Sequence, residues 1–223
     1  MADRWASFDC YGTLIDWNSG IGDALTEVIP GRARDELLAA YHAAEPAIQA
    51  GGALPYREVV ARAARAAADA LGVPLAPGAE RALPASLPTW PPFPEVSAAL
   101  AELRARGWRV AVLSNTDPEL LAASLSNIGV PVDLTITVVE AGSYKPAHGH
   151  WDEFFARSGA DPSCHVHVAA SIFHDLAPCA ARGIPTVWIN PLAETSDLPR
   201  VAELPDLATL PEILDDRFLG GSR

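Results

Sequence analysis

The sequence has few cysteines, fewer basic than acidic residues, and no apolar run long enough to cross a membrane. Three cysteines are too few, and too odd a number, for a disulfide framework, so we expect free thiols in a reducing compartment. The formal net charge of -12 argues against nucleic acids and anionic membranes as partners. The sequence also begins without the basic and apolar segments of an export signal, and we therefore expect a cytoplasmic protein.

The chain is long and apolar enough to bury a sizeable core, because 49% of its 223 residues are hydrophobic. An apolar strand is predicted at residues 5–8, and from Pro94 onward strands and helices alternate. This alternation is typical of an α/β protein with a doubly wound, mainly parallel sheet. The further strands are predicted at 109–113, 134–139, 165–169, 186–189 and 207–210, and the helices at 95–106, 118–127, 151–158 and 176–182.

A helical segment interrupts this pattern after the first strand. Helices are predicted at 34–49 and 56–71, the first ending at Gly51-Gly52. The proline-rich stretch 84–94 marks the return to the α/β pattern. We therefore predict a core domain of residues 1–15 and 89–223, an inserted helical cap domain of residues 16–88, and a flexible end at Gly220–Arg223. One face of the second helix carries Val59, Val60, Ala63, Ala67 and Leu71.

The motif Asp9-Cys10-Tyr11-Gly12-Thr13 directly follows the first predicted strand. Ligands of open α/β sheets bind at the carboxyl ends of strands, so Asp9 is a candidate nucleophile or metal ligand. Gly12 permits a sharp turn, and Thr13 places a hydroxyl near the carboxylate. The alternative is that Asp9 only caps a turn, while Cys10 is expected in the core.

Three further motifs follow: Ser114-Asn115 after a strand, Lys145-Pro146 in a loop, and Ser171 to Asp175 after another strand. With Asp, Ser, Lys and Asp in this order, the chain resembles the haloacid dehalogenase superfamily of hydrolases. Within it, the Asp-x-Tyr-Gly-Thr-Leu string resembles that of the L-2-haloacid dehalogenases (type II). The resemblance implies a Rossmann-like sheet with a helical cap inserted between the first and second motifs.

Tyr11 bears on which leaving group the site can release. Phosphatase relatives have an Asp two residues after the nucleophile, which protonates a departing alkoxide. A phenol with a pKa of about 10 is a weak substitute, whereas a halide leaves without a proton. Phosphatase relatives also have a metal-binding Asp directly before the Ser of the fourth motif, where this sequence has Ala170. The resemblance therefore implies neither a metal nor another cofactor; the alternative for Tyr11 is a packed aromatic residue.

The resemblance implies a role for each motif residue. Asp9 attacks the halogen-bearing carbon of a small 2-halo carboxylic acid, and water hydrolyses the resulting ester. Lys145 offsets the carboxylate charges, Thr13 binds Asp9, and Asp175 pairs with Lys145 or directs the water. Singly, Ser114 could begin a turn and Lys145 could be a solvated loop cation. The residues expected at the substrate or halide are Tyr11, Ser114, Asn115, Ser171, Phe173, Tyr41 and His42.

The sequence departs from the family pattern at three places. The cap helix has Tyr41-His42 without the Arg that contacts the halide in these enzymes, Ile172 replaces an Asn, and Trp151 replaces a Tyr. Two alternatives stay open on this basis: a phosphatase or other hydrolase of the superfamily, and a non-catalytic small-anion-binding relative. A zinc site of the histidines is disfavoured because no Cys or helical His spacing accompanies them. The base for the water is unassigned, and a homodimer is an open alternative.

Overall fold

The computed structural model describes residues 3–50 and 54–219. The predicted helix end at Gly51-Gly52 and the predicted flexible end at Gly220–Arg223 lie outside these residues. In chain order, the elements are β1 (Arg4–Phe8), α1 (Trp17–Val28), α2 (Arg34–Ala50), α3 (Tyr56–Ala70), α4 (Ala82–Ser86), α5 (Val96–Ala105), β2 (Trp108–Ser114), α6 (Pro118–Ile128), β3 (Leu134–Thr137), α7 (Val138–Ala141), α8 (Gly149–Ser158), β4 (His165–Ala169), α9 (Ala177–Arg182), β5 (Thr186–Ile189), β6 (Ala202–Leu204) and α10 (Leu210–Leu219).

Contacts group these elements into two compact units. The first contains Met1–Ile15, Pro92–Asn115 and Ile128–Arg223, and the second contains Asp16–Pro91 and Thr116–Asn127. The domain boundaries drawn from the sequence remain a prediction; the contact grouping adds Thr116–Asn127 to the helical unit. No helix within 3–50 or 54–219 is both long and apolar enough to span a membrane.

The first unit is built on one sheet. Within the described residues, six parallel strands are arranged in the order β3-β2-β1-β4-β5-β6. The predicted α/β fold with a doubly wound parallel sheet is confirmed. The chain reverses its direction across the sheet between β1 and β4, and ligands of such sheets bind at the carboxyl ends beside this switch point. Asp9 directly follows β1 and therefore lies at that place.

An apolar layer lies between one face of the sheet and α8. Trp5 and Leu113 contribute to it from the strands, and Trp151 and Phe154 contribute from α8. Trp151 is fully buried there, so the residue that replaces the Tyr of the family belongs to the core.

Two strand predictions are wrong. The strand predicted at 134–139 ends at Thr137, because the Thr137 hydroxyl accepts the Val139 N–H (3.3 Å) and starts α7. The strand predicted at 207–210 is a turn that leads into α10, and the last strand is β6 instead. Pro205 has no N–H to extend β6, and Asp206 accepts the Ala208 N–H (2.9 Å) to form the turn.

The second unit consists of α1 to α4 together with α6. Four of the five residues predicted on the apolar face of α3 are fully buried, and Leu71 is half-buried after its last turn. Pro55 precedes α3 and provides no side-chain cap. Instead, the buried Asp117 carboxylate accepts the N–H groups of Tyr56 (2.9 Å) and Arg57 (3.0 Å). A carboxylate at a helix N-terminus stabilises the helix through these donors and the helix dipole.

Candidate active site

Asp9 is held at the end of β1 by backbone bonds. Its N–H donates to Val168 O (3.1 Å), which continues the pairing of β1 with β4. The next residues turn tightly, since the Cys10 carbonyl accepts the N–H groups of residues 13, 14 and 15. Gly12 has a φ of 91°, a conformation that favours glycine. The turn brings the Thr13 hydroxyl back to the Asp9 carboxylate, and Asp9 remains only 8% exposed.

Lys145 is the cation of this group. Its Nζ donates to Asp9 Oδ1 (2.7 Å), Asp175 Oδ1 (2.6 Å) and Leu113 O (3.0 Å), which uses all three ammonium donors. Lys145 is 1% exposed, so the alternative that it is a solvated loop cation is wrong. Burial alone would lower the pKa of Lys145, but the carboxylates of Asp175 and Asp9 outweigh burial and raise it above the ordinary value. The ammonium is therefore charged at neutral pH.

Asp175 is fully buried and ionised. Burial favours the protonated carboxyl, but Lys145 and the bond from His167 outweigh it and hold the pKa of Asp175 below its usual range. Oδ1 accepts from both Lys145 Nζ and His167 Nε2 (2.9 Å). Oδ2 is buried without a hydrogen-bond partner among the described residues. Asp175 thus has one saturated oxygen and one oxygen able to accept.

Thr13 completes the orientation of Asp9. Its hydroxyl donates to Asp9 Oδ2 (3.0 Å) and accepts the N–H of Ala170 (3.0 Å). Each Asp9 oxygen therefore has a donor, one from Lys145 and one from Thr13. The carboxylate is thereby oriented at the sheet's switch point, as a carboxylate nucleophile requires.

Asn115 contacts the loop that carries Lys145. Its Nδ2 donates to Lys145 O (3.0 Å), and its Oδ1 accepts Lys145 N–H (2.6 Å). The side chain predicted at the substrate thus anchors the lysine backbone. Ser114 is buried at the end of β2, and its carbonyl bonds His150 Nε2 (3.0 Å). Burial lowers the pKa of His150 to about 4, so this ring is neutral and Nε2 donates.

The remaining predicted residues of the first unit lie on loops after strands. Ser171 accepts the His174 N–H (3.0 Å) and begins the π-helical turn Ile172–Leu176 that contains Asp175. Phe173 is 59% exposed on this turn. Tyr11 lies in the turn after Asp9 and is half-buried. Their assignment to the substrate remains a prediction.

Tyr41 and His42 belong to the second unit, on α2. Tyr41 is fully buried, and its ring centroid lies 5.8 Å from that of Trp17. His42 is exposed and lies 5.0 Å from the same Trp17 ring. Burial, together with the Glu45 carboxylate, raises the pKa of Tyr41, which is therefore a neutral phenol. Their assignment to the halide remains a prediction.

Three polar residues beside Asp175 escaped the sequence-based site. Ser7, His165 and His167 are fully buried, and the Ser7 hydroxyl is hydrogen-bonded to both histidines. Their signal was a polar residue at alternate positions of otherwise apolar strands. No group of three or more His, Cys, Asp or Glu side chains within 3–50 and 54–219 could hold a metal ion.

Comparison with known proteins identifies the family. A family profile described as haloacid dehalogenase-like hydrolase matches residues 4–181. The chain belongs to this family. The hydrolase is 29% identical over 191 residues to the (S)-2-haloacid dehalogenase of Pseudomonas sp. strain YL, covering 82% of its own chain and 81% of that protein. It is 31% identical over 193 residues to haloacetate dehalogenase H-2 of Moraxella sp. strain B, with coverages of 82% and 84%.

A solved structure has the same fold as the hydrolase. The L-2-haloacid dehalogenase of Xanthobacter autotrophicus, with chloropropionic acid covalently bound, superimposes with a TM-score of 0.84. The match covers 99% of this hydrolase and 100% of that chain, at 20% identity. At this identity, the likeness shows that the two chains share a fold.

Proposed function

We propose that this hydrolase is a 2-haloacid dehalogenase that releases halide from a small 2-halo carboxylic acid. The observation that carries the proposal is the buried group of Asp9, Lys145 and Asp175, in which a single ammonium contacts both carboxylates. Tyr11 supports it, because a halide leaves without the proton that an alkoxide needs. The dehalogenase relatives support the same substrate class.

In the first step, an Asp9 oxygen attacks the halogen-bearing carbon from the side opposite the halogen. A carbon–oxygen bond forms, and the halide departs with the electron pair of the broken bond. The product is an ester between Asp9 and the acid, with inverted configuration at the carbon. Lys145 offsets the repulsion between Asp9 and the substrate carboxylate, and Ser114 with nearby backbone N–H groups binds that carboxylate.

In the second step, water attacks the carbonyl carbon of the Asp9 ester. The new bond expels the 2-hydroxy acid, restores the Asp9 carboxylate and releases one proton. Asp175 directs the water, since its Oδ2 is an acceptor with no partner among the described residues. Thr13 keeps the Asp9 carbonyl in place during the attack.

The carboxylate oxygens of this site do not suit Mg²⁺, which needs several oxygen ligands that are free to bind it. Both Asp9 oxygens and Asp175 Oδ1 already accept from Lys145, Thr13 or His167. Position 170 is an alanine, whose side chain has no oxygen that could bind a metal ion. We therefore propose a reaction without a metal ion, which also disfavours the phosphatase alternative.

The cellular setting is part of the proposal. Cys10, Cys164 and Cys179 are free thiols, and Cys10 and Cys179 are buried, which supports a reducing compartment such as the cytoplasm. The homodimer considered from the sequence is tested by measuring the mass of the native protein in solution.

The test is halide release from a panel of 2-halo acids, including fluoroacetate, with a chelator present. Native protein should release halide and form the hydroxy acid of inverted configuration, and Asp9→Asn should not. A single turnover in H₂¹⁸O should place the label in the Asp9 carboxylate and leave the product unlabelled. Absence of release from every acid, together with magnesium-dependent hydrolysis of an aryl phosphate, would establish the phosphatase alternative instead.

A further inference from the structure

A chain of polar side chains runs through the apolar layer beneath α8. Ser7 of β1 and His165 and His167 of β4 lie on the same face, and each is fully buried. The Phe154 ring lies 4.6 Å from His165, and the Trp151 ring lies 5.4 Å from His167. Burying three polar groups among aromatic rings is unfavourable unless they bond one another.

The bonds of this chain are short and continuous. Ser7 Oγ lies 2.8 Å from His165 Nε2 and 2.8 Å from His167 Nδ1. His167 Nε2 lies 2.9 Å from Asp175 Oδ1, so the chain ends on the carboxylate that binds Lys145. At the other end, His165 Nδ1 has no partner among the described residues.

The network itself assigns the direction of each bond. His165 is neutral, since burial lowers its pKa to about 3. Its proton belongs on Nε2, because a proton on the unpartnered Nδ1 would leave a buried donor unsatisfied. Ser7 therefore accepts from His165 and donates to His167 Nδ1, and His167 Nε2–H donates to Asp175.

The contacts of Asp175 leave one of its two carboxylate oxygens free. Oδ1 accepts from both His167 and Lys145, while Oδ2 keeps its lone pairs unpaired among the described residues. If the chain were broken, His167 could turn its ring or exchange tautomer, and Asp175 would lose the bond that fixes its plane. Through His167, the three hydrogen-bonded side chains contact Asp175, and none of the three is hydrogen-bonded to Asp9.

We propose that Ser7, His165 and His167 are positioning residues that present Asp175 Oδ2 to the water in the second step of the reaction. This inference rests on the proposed function. The water adds its oxygen to the ester carbonyl and passes one proton to Oδ2, and the ester oxygen leaves as the product hydroxyl with the other proton. Asp175 then returns its proton to solvent as the product departs.

A substitution that breaks the hydrogen bonds among Ser7, His165 and His167 should slow hydrolysis of the Asp9 ester and leave halide release intact. In Ser7→Ala, kcat should fall about tenfold, the effect of one lost buried hydrogen bond. KM should fall by the same factor, because kcat/KM reports the steps up to halide release. Rapid mixing should reveal a burst of one halide per enzyme, and intact-protein mass should rise by the mass of the haloacid less hydrogen halide.

Matched variants separate positioning from packing. Ser7→Thr keeps the hydroxyl and should retain most of native kcat without ester accumulation. Phe154→Leu perturbs the same apolar layer outside the hydrogen-bonded chain, and should lower stability without a burst. His165→Leu removes the donor to Ser7 and provides a second break in the hydrogen-bonded chain if Ser7→Ala folds poorly. A burst in Phe154→Leu as large as in Ser7→Ala would overturn the inference.

A readout independent of turnover uses Lys145, the only lysine of the sequence. Lysine labelled with ¹³C at Cε gives one side-chain signal, whose shift reports the carboxylates around Nζ. Ser7→Ala should move this signal, and Ser7→Thr should restore it. If Ser7→Ala leaves both this signal and kcat unchanged, the inference is overturned, although halide release by the native protein would still support the proposed function. If native protein releases no halide, the proposed function fails, and the role in the second step fails with it.

Discussion

Lys145 Nζ lies 2.7 Å from Asp9 Oδ1, and this ion pair is buried. Of the sixteen lysines and arginines in the sequence, only Lys145 is a lysine. Its ammonium places three donors around one point, where it reaches Asp9, Asp175 and a backbone carbonyl. A guanidinium is planar and larger, and cannot replace this geometry.

Lys145→Met should abolish halide release and destabilise the fold. Removing the ammonium leaves two buried carboxylates facing each other, and breaking a buried pair costs about 3–5 kcal/mol. Chemical denaturation at neutral pH measures this loss. Arg62→Met provides the control, because the exposed Arg62–Glu58 pair is expected to contribute about 0.3–0.5 kcal/mol. Equal losses in the two variants would contradict the importance of burial.

Thr13→Val should lower kcat/KM for halide release about tenfold to hundredfold. The substitution removes the donor to Asp9 Oδ2 and the acceptor of the Ala170 N–H, and bonds to charged groups contribute about 1.5–3 kcal/mol. Thr13→Ser keeps both bonds and should stay close to native. A Ser variant as impaired as the Val variant would contradict this role of the hydroxyl, because Thr13→Ser keeps that group.

Asn115→Ala should reduce kcat through Lys145. The amide makes two bonds with the Lys145 backbone, so its loss should move the single lysine ¹³C signal and lower halide release about tenfold. Asn115→Asp keeps the acceptor but loses the donor, and should be intermediate or worse. An increase in KM with an unmoved lysine signal would instead support the substrate contact expected from the sequence.

Stability should fall as the pH is lowered from about 6.5 to about 4, because His150 is buried in its neutral form. In the folded protein, the pKa of His150 is about 4, which lies below its value in the unfolded chain. The unfolded chain therefore binds more protons in this pH window, and lowering the pH favours unfolding. The contribution of His150 is about 3 kcal/mol across the window. Urea unfolding at pH 7 and pH 4.5 should show a smaller loss in His150→Gln than in native protein. Parallel losses in both would exclude His150 as a contributor and leave the loss to other groups such as His165, which is also buried and neutral.

Apolar periodicity was sufficient to predict most elements, because buried parallel strands and amphipathic helices leave local patterns. It was wrong at residues 207–210, where Pro205 and Asp206 form a turn despite the apolar run that follows. At Thr137, a local cap ended the strand earlier than hydrophobicity suggested.

By itself, the sequence determined the parallel α/β fold, the position of Asp9 after the first strand, and the order of the motifs that supply Thr13, Lys145 and Asp175. Only the tertiary structure decided which atoms these side chains bond. Ser7 and His167 are 160 residues apart and meet because β1 and β4 pair in one particular register. Asn115 binds the Lys145 backbone for the same kind of reason, since a loop conformation sets that contact. Local sequence patterns carry no information about such pairings, because burial and register are properties of the assembled sheet.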